Sequence, residues 1–357
     1  MRIIAVHLLN DYSGSPKVLM QLLKCWTKNN LKTILYTCGG REGFLSNISG
    51  VETHNYWYQF ANNKILRLLF LLTSQFVLCI KLLFQLKKSD ILYINTVLPF
   101  GAGIAGKMVG CNVIYHIHET SIKPILLKNI LFFIVKKTAN EVIYVSHFLA
   151  NQENINIKKR VLYNVLENDF QKQAHSNYNP SKTTKNVLMI CSLKEYKGVN
   201  EFVELSKMNT EYTFKLVVNA NQNEIDNYFK NTIVPANLFI YPTQTNTHPF
   251  YQDASLILNL SDTNRWVETF GLTILEGMAY GLPAIVPPVG GVIELVENDV
   301  NGYCIDSKKT DFISKAIQNL FSNKTLYQEM SKKAYQKSFF FSESNFEKEA
   351  ISIVQNW

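Results

Sequence analysis

The sequence contains no C-x-x-C pair, no Asp-x-Asp, and no G-x-G-x-x-G in the loop that directly follows its first strand-like run, Arg2 to Leu9. The first absence excludes the zinc-ribbon and thioredoxin-type sites, and the third excludes the dinucleotide fingerprint of a hydride-transferring oxidoreductase. Without an Asp-x-Asp there is no paired carboxylate to chelate a divalent metal beside a diphosphate. Cysteine is sparse: Cys25, Cys38, Cys79, Cys111, Cys191 and Cys304 are scattered, with no histidine at ligand spacing, and read as thiols in a reducing, cytoplasmic compartment. Acidic residues are fewer than basic ones, 28 against 36, which gives a net charge of +8 and favours anionic partners. The basic residues are dispersed and form no patterned patch of the kind that binds nucleic acid.

What is present is a folded chain of two domains. With 357 residues, 47% of them hydrophobic and 18% charged, it is too long for one typical core and too apolar for disorder. Arg2 to Leu9 reads as a first β-strand; His7, Asn10 and Asp11 interrupt its apolar run and argue against a signal peptide. Ser13-Gly14-Ser15-Pro16 then leads into a helix over Lys17 to Trp26. Further strands are expected at Leu31 to Cys38, Ile91 to Asn95, Asn112 to His116 and Glu141 to Val145, with a helix over Gly101 to Val109. VLYNV, 161 to 165, closes the first half, and the polar stretch from Glu167 to Asn186 reads as a linker. In the second half, strands at Asn186 to Cys191, Phe214 to Asn219, Leu238 to Tyr241, Ser255 to Leu260 and Ala284 to Val286 alternate with helices, and a last amphipathic helix runs from Phe346 to Trp357.

One segment stands apart from this alternation. Ile65 to Leu86, ILRLLFLLTSQFVLCIKLLFQL, is long enough to span a bilayer, yet Arg67, Gln75, Lys81 and Gln85 lie inside it and a strand follows at once. A buried or half-buried helix of the first domain is expected. Its basic flanks also suit a helix lying in the interface of an anionic membrane.

Chemistry concentrates in WVETFGLTILEGMAYGLPAIVPP, residues 266 to 288. Glu268 sits in a turn, and Glu276 sits on the helix that the turn opens. That helix stops at Gly281 and Pro283, and the amide groups of its first turn can dock an anion without a lysine. The E-x7-E spacing, the Phe270-Gly271 turn, the GLP stop and PPVGGVIELVENDVNGYCID resemble the donor site of the family 4 retaining glycosyltransferases. The resemblance implies two Rossmann-like α/β domains facing across a cleft (the GT-B fold), with the C-terminal helix crossing back to the N-terminal domain. It places an acceptor-side domain at 1–166 with 341–357, a linker at 167–185, and the donor domain at 186–340.

The same resemblance assigns roles. Glu276 would hold the ribose hydroxyls and Glu268 would face the donor sugar, as nucleophile or orienting group. Thr269, Phe270, Gly271 and Leu272 form the turn at the phosphates. Lys197, in Lys197-Gly198, matches the diphosphate-gripping K-G, while Cys191-Ser192 stands where the family often has Gly-Arg; Lys194 or Arg265 is a candidate for the missing cation. Gly14 matches a reduced form of the glycine-rich loop. In His116-Ile117-His118-Glu119, His118 matches the histidine that faces the donor sugar, and Glu119 stands where aspartate is commoner.

The implied reaction moves a sugar from a nucleotide-diphosphate sugar to a glycan or lipid-linked glycan, in surface polysaccharide assembly, without a cofactor and without a metal. The donor base, the sugar and the acceptor stay open. The rival readings are a non-catalytic nucleotide-sugar binder and a sugar-nucleotide epimerase of the same fold.

Overall fold

The structure, a computed structural model, describes residues 2–182, 184–355 and 357. It divides into two units. The first is Met1–Asn164 with Ser344–Trp357, and the second is Val165–Glu343.

The first unit carries β1 (Arg2–Val6), α1 (Gly14–Lys28), β2 (Lys32–Cys38), β3 (Val51–Tyr56), α2 (Lys64–Leu83) and β4 (Ile91–Asn95). These are followed by α3 (Phe100–Val109), β5 (Asn112–Ile117), α4 (Ile125–Thr138), β6 (Glu141–Tyr144), α5 (His147–Gln152) and β7 (Lys158–Val161). Its seven strands form one parallel sheet in the order β3-β2-β1-β4-β5-β6-β7. β1, β4 and β5 are almost wholly buried, as parallel strands covered on both faces must be. Strand order reverses between β1 and β4, because the chain leaves β1 toward β2 and leaves β4 toward β5 on the other side. The carboxyl ends of β1 and β4 therefore open a crevice of the kind in which doubly wound sheets hold ligands.

The second unit begins with α6 (Asn168–Ser176), β8 (Asn186–Ser192), α7 (Val199–Met208), β9 (Thr213–Asn219), α8 (Gln222–Phe229), β10 (Leu238–Tyr241) and α9 (His248–Asp253). It continues with β11 (Leu256–Leu258), α10 (Leu272–Ala279), β12 (Ala284–Val286), β13 (Gly302–Cys304), α11 (Thr310–Ser322) and α12 (Lys324–Ser338). Its six parallel strands run β10-β9-β8-β11-β12-β13, with the reversal between β8 and β11. Val187, Phe202, Phe214, Leu216, Leu256 and Ile317 are among the fully buried side chains of its core.

Several expectations are corrected. The stretch read as a linker holds α6, which buries Gln171 and Ala174 and clusters with the second unit. The strand expected at 161 to 165 is β7, Lys158–Val161. It is an edge strand that Arg160 and Lys158 hold to the buried Glu141 of β6, so it lacks the apolar run that marks an interior strand. After β12, Gly290 leads into a single 3₁₀ turn, Gly291–Glu294.

Residues 101 to 106, GAGIAG, have the spacing of a nucleotide-binding loop but lie inside α3. Their role is close packing: a Cβ on Gly101 would stand 2.1 Å from the Gln75 carbonyl oxygen of α2.

The last helix, α13 (Glu343–Gln355), joins the first unit from Ser344 onward. Phe346, Ala350, Ile353 and Val354 are buried, and the Ala350 carbonyl accepts a 3.0 Å hydrogen bond from Trp26 Nε1 of α1. Trp26 is fully buried and meets Tyr93 edge to face at 4.9 Å. Trp26→Ala removes this ring and its hydrogen bond, so it is expected to cost about 3–5 kcal/mol. It should also release α13 first: hydrogen exchange over residues 344–355 should rise more than in the central strands, and equal protection in both would show that Trp26 does not anchor the helix.

Candidate active site

In the second unit, the two chain segments that leave the reversal point meet. After β8 the chain makes a 3₁₀ turn, Glu195–Lys197, and enters α7 through Gly198, whose φ is +79°. A Cβ on Gly198 would stand 2.2 Å from the Leu260 carbonyl oxygen, so only glycine lets this turn cross the loop that follows β11. That crossing brings Lys197 Nζ onto Glu268 Oε1, 71 residues further along the chain. Ser261 Oγ donates to the same oxygen at 3.1 Å. Burial on its own would raise the Glu268 carboxyl, but the Lys197 ammonium and hydrogen bonds from Lys197, Ser261 and Asn259 hold it below the ordinary carboxylate value. The Glu268 carbonyl accepts from Gly291 N–H at 2.7 Å, which fixes the turn from the other side. Lys197 Nζ also lies 4.9 Å from the centroid of the Trp266 ring, and Tyr196 stacks on that ring at 5.4 Å. Beside them, burial pushes the Cys191 thiol up to about 12, so it stays a neutral thiol.

Three residues after Glu268 the chain turns through Gly271, with φ +104°, into α10. Its N-cap residue is Gly271 itself, which has no side chain with which to cap the helix. Its first-turn amides are oriented along the helix axis next to the Lys197–Glu268 pair, an arrangement that suits a diphosphate. Phe270 is buried and packs edge to face on Phe341 at 5.6 Å, so its ring anchors the turn and only its backbone can meet a ligand. Thr269 and Leu272 are half-buried in the same turn.

Glu276, the second acid of the pair, faces inward on α10, and its Oε2 accepts from Tyr251 Oη at 2.5 Å. Tyr251 stacks on Tyr280 at 5.8 Å, and Phe170 of α6 stacks on His248 at 4.3 Å beside them. Burial, with Glu276 close by, raises the Tyr251 hydroxyl well above its ordinary value and Tyr280 to about 12. Both are therefore neutral; Tyr251 donates to the Glu276 carboxylate, and the Tyr280 hydroxyl pairs with His248 Nδ1 at 2.5 Å. Arg265 pairs with Glu195 at 2.9 Å near the surface, and Lys194 is exposed. Among the described residues, no group of three or more His, Cys, Asp or Glu is arranged to hold a metal ion.

In the first unit, His118 follows β5 at the carboxyl end of the sheet. Its Nε2 is 2.8 Å from Asn95 Oδ1, at the end of β4. Asn95 Nδ2 donates to the Ser15 carbonyl of α1 at 3.0 Å, which turns its oxygen toward the ring. His118 Nε2 therefore carries the proton of this bond, and Nδ1 is the basic nitrogen. Burial, then His116 and His7, depresses His118 well below its ordinary value, so the ring is neutral near pH 7. His116 is fully buried, bonded to Tyr93 Oη at 2.9 Å, and burial lowers it to about 3; it is structural.

Glu119 does not point at a ligand as a sugar-facing acid would. Its two oxygens accept from Val97 N–H at 2.9 Å and His118 N–H at 3.1 Å, tying the loops after β4 and β5 together. Burial pushes it up to about 7, with those amides opposing. Gly14 is exposed at the first turn of α1, one residue before the Ser15 carbonyl. The sequence thus indicates residues from both units, and the structure brings together Lys197 and Glu268 in the second, and His118 and the start of α1, through Asn95, in the first. Asn95, Ser261, Trp266, Tyr251 and Tyr280 complete these sites and were not singled out by the sequence; no spacing marks a residue that acts only through a neighbour.

Two doubly wound parallel sheets, each with charged and polar residues gathered at its reversal point, define the GT-B class of glycosyltransferases. Residues 170–337 match the family model described as glycosyl transferases group 1. The chain is 26% identical over 271 residues, 70% of each sequence, to the N-acetyl-alpha-D-glucosaminyl L-malate synthase of Bacillus anthracis. Solved structures with the same fold include Anabaena HepE in complex with UDP and glucose, at 15% identity and a TM-score of 0.80 over 100% of both chains. A sucrose-phosphate synthase from Thermosynechococcus elongatus matches at 14% identity and a TM-score of 0.78, over 100% of this chain and 99% of that one. Over residues 170–337 the chain is thus similar to the group 1 glycosyl transferases, and its two sheets have the fold of the GT-B glycosyltransferases.

Lys197→Met leaves Glu268 buried without its cation and is expected to destabilise the second unit by roughly 3 kcal/mol at neutral pH. In the wild type, the depressed Glu268 contributes stability above its unfolded value that is lost as pH falls through the folded one; in the variant the lone carboxyl is raised and is relieved by protonation. The stability gap between the two proteins should therefore narrow from pH 7 to pH 4, and a gap independent of pH would refute the pairing.

In the first unit, His7, His116 and His118 are all depressed, so the unfolded chain binds more protons below about pH 6.5 and stability falls on acidification. Glu119, raised to about 7, works in the opposite direction between its unfolded value and 7. Glu119→Gln should steepen the acid loss of amide protection in β4 and β5, and an unchanged slope would show that Glu119 titrates normally.

Proposed function

We propose that the protein transfers a sugar from a nucleotide-diphosphate sugar to a glycan or lipid-linked glycan acceptor, with retention of anomeric configuration, on the cytoplasmic side of surface polysaccharide assembly. The observation that carries this reading is the Lys197–Glu268 pair together with the glycine-led start of α10. Departure of a nucleoside diphosphate needs positive charge on the phosphates. The amide end of α10 and Lys197, which has three N–H donors and uses one on Glu268, supply it without a metal.

Glu276 sits on the inner face of the same helix, about one turn from its start, where a carboxylate can accept from ribose hydroxyls. Glu268 is held ionised and oriented by Lys197 and Ser261, as a group that faces a developing positive sugar must be. His118, neutral and with a fixed tautomer, suits hydrogen bonding to a sugar hydroxyl. No side chain is required as the base for the incoming hydroxyl if the departing phosphate oxygen takes its proton.

A panel of nucleoside diphosphates and their sugars should raise the melting temperature selectively, since a ligand at a hundred times its Kd adds about 2.7 kcal/mol. With the donor so found, Glu276→Ala is expected mainly to raise the donor KM, whereas Glu268→Ala should mainly depress kcat, and a chelator should leave the rate unchanged. A panel with no shift would remove the reading. Donor binding without any lengthened acceptor would favour a binder, and free epimerised sugar would favour an epimerase.

A further inference from the structure

The first unit carries a surface that the sugar chemistry does not use. α2 is apolar on both sides: Leu71, Ser74, Gln75, Leu78 and Leu82 are buried against the rest of the unit, while Ile65 is 71% and Phe76 66% exposed, and Phe84, just past the end of the helix, is 87% exposed. Leu66, Leu69, Leu72, Val77 and Ile80 share the outer face. Gln75 Oε1 accepts from Gly101 N–H at 3.2 Å, so the inward face is specified by a polar contact to α3. α4 repeats the pattern, with Ile125, Leu126, Ile130 and Phe133 exposed, and α2, α3 and α4 pack side by side in one layer. Apolar surface on this scale marks an interaction site in a folded protein.

Charge identifies the partner. From His54 to Asn140 the chain has ten Lys and Arg but two Asp and Glu, which is its whole net charge of +8; the remainder has 26 of each sign. Of the two acids, Asp90 is buried on Arg2, and Glu119 is tied to backbone amides. The exposed lysines stand at the margins of the apolar ridges: Lys64 and Lys87-Lys88 at the two ends of α2, Lys123 and Lys136-Lys137 at the ends of α4, and Lys107 on α3. A second copy docking through the same face would set these lysines against their own kind.

α2 is long and apolar enough to cross a bilayer. However, it joins β3 to β4, parallel strands of one sheet, so its two ends cannot lie on opposite sides of a membrane. We propose that the α2–α3–α4 layer lies flat on an anionic bilayer, its Leu, Ile and Phe side chains in the headgroup boundary and its lysines on the lipid phosphates. The surface stands on burial and charge alone, independently of the donor reading.

The full chain should cosediment with phosphatidylcholine vesicles containing about 30% phosphatidylglycerol, bind neutral phosphatidylcholine vesicles at least about tenfold more weakly, and come off as salt is raised. Leu72→Asp with Phe76→Asp should weaken binding at least about tenfold, and Lys136→Glu with Lys137→Glu by a similar factor. Both variants should keep the wild-type melting temperature and any nucleotide-induced shift, which separates loss of docking from loss of fold or of the donor site. The proposal is overturned if the wild type stays in the supernatant at low salt, or if the apolar pair leaves binding unchanged. It is equally overturned if alkaline carbonate fails to release the bound protein, which means spanning, or if light scattering shows a dimer that Leu72→Asp with Phe76→Asp dissolves.

Discussion

A lysine and a glutamate held together at the reversal point of a parallel sheet are the constraint on which the second unit depends. Neither charge would be stable there alone. Glu268 is removed from water by the loop after β11, and Lys197 reaches it because Gly198 permits a backbone crossing that any side chain would block. The pair in turn fixes the turn through Thr269 and Phe270, and the turn aims the start of α10. A buried ion pair contributes little net stability over an apolar contact, so its presence at the open end of the strands is better accounted for by chemistry than by folding.

The first unit solves a related problem with neutral groups. His7, Asn95, Ser15 and His118 link the ends of β1, β4 and β5 and the start of α1 by hydrogen bonds, with burial holding the imidazoles uncharged. One unit therefore presents a fixed cation and carboxylate, and the other a neutral donor and acceptor array. Its basic residues are instead displaced to the outside of the α2–α3–α4 layer, so that recognition of a surface and recognition of a small ligand do not compete for the same charges.

Much of the architecture was legible in the sequence because interior parallel strands are short apolar runs: Ile91 to Asn95 is a strand at those same residues, and Ala284 to Val286 likewise. The edge strands were not. Val51–Tyr56 carries Glu52, Thr53, His54 and Asn55, and Lys158–Val161 is nearly all basic, so neither shows the pattern of a covered strand. α4 also escaped notice, since ILLKNILFFIVKKT spreads its apolar residues around the helix and gives no single face. The polar composition of 167–185 concealed α6 in the same way. At the site, the residue types and spacing of 266 to 288 indicated phosphate and carboxylate chemistry. The contact between Lys197 and Glu268 depends on a glycine and a carbonyl 62 residues apart, Gly198 and Leu260, and no local pattern records it.

The most direct measurement is a crystal structure of the chain with its best-bound nucleoside diphosphate. The account predicts phosphate oxygens on the amides of Leu272 and Thr273 and on Lys197 Nζ, with the ribose hydroxyls toward Glu276. A diphosphate bound away from the start of α10, with Lys197 still engaged only by Glu268, would contradict it.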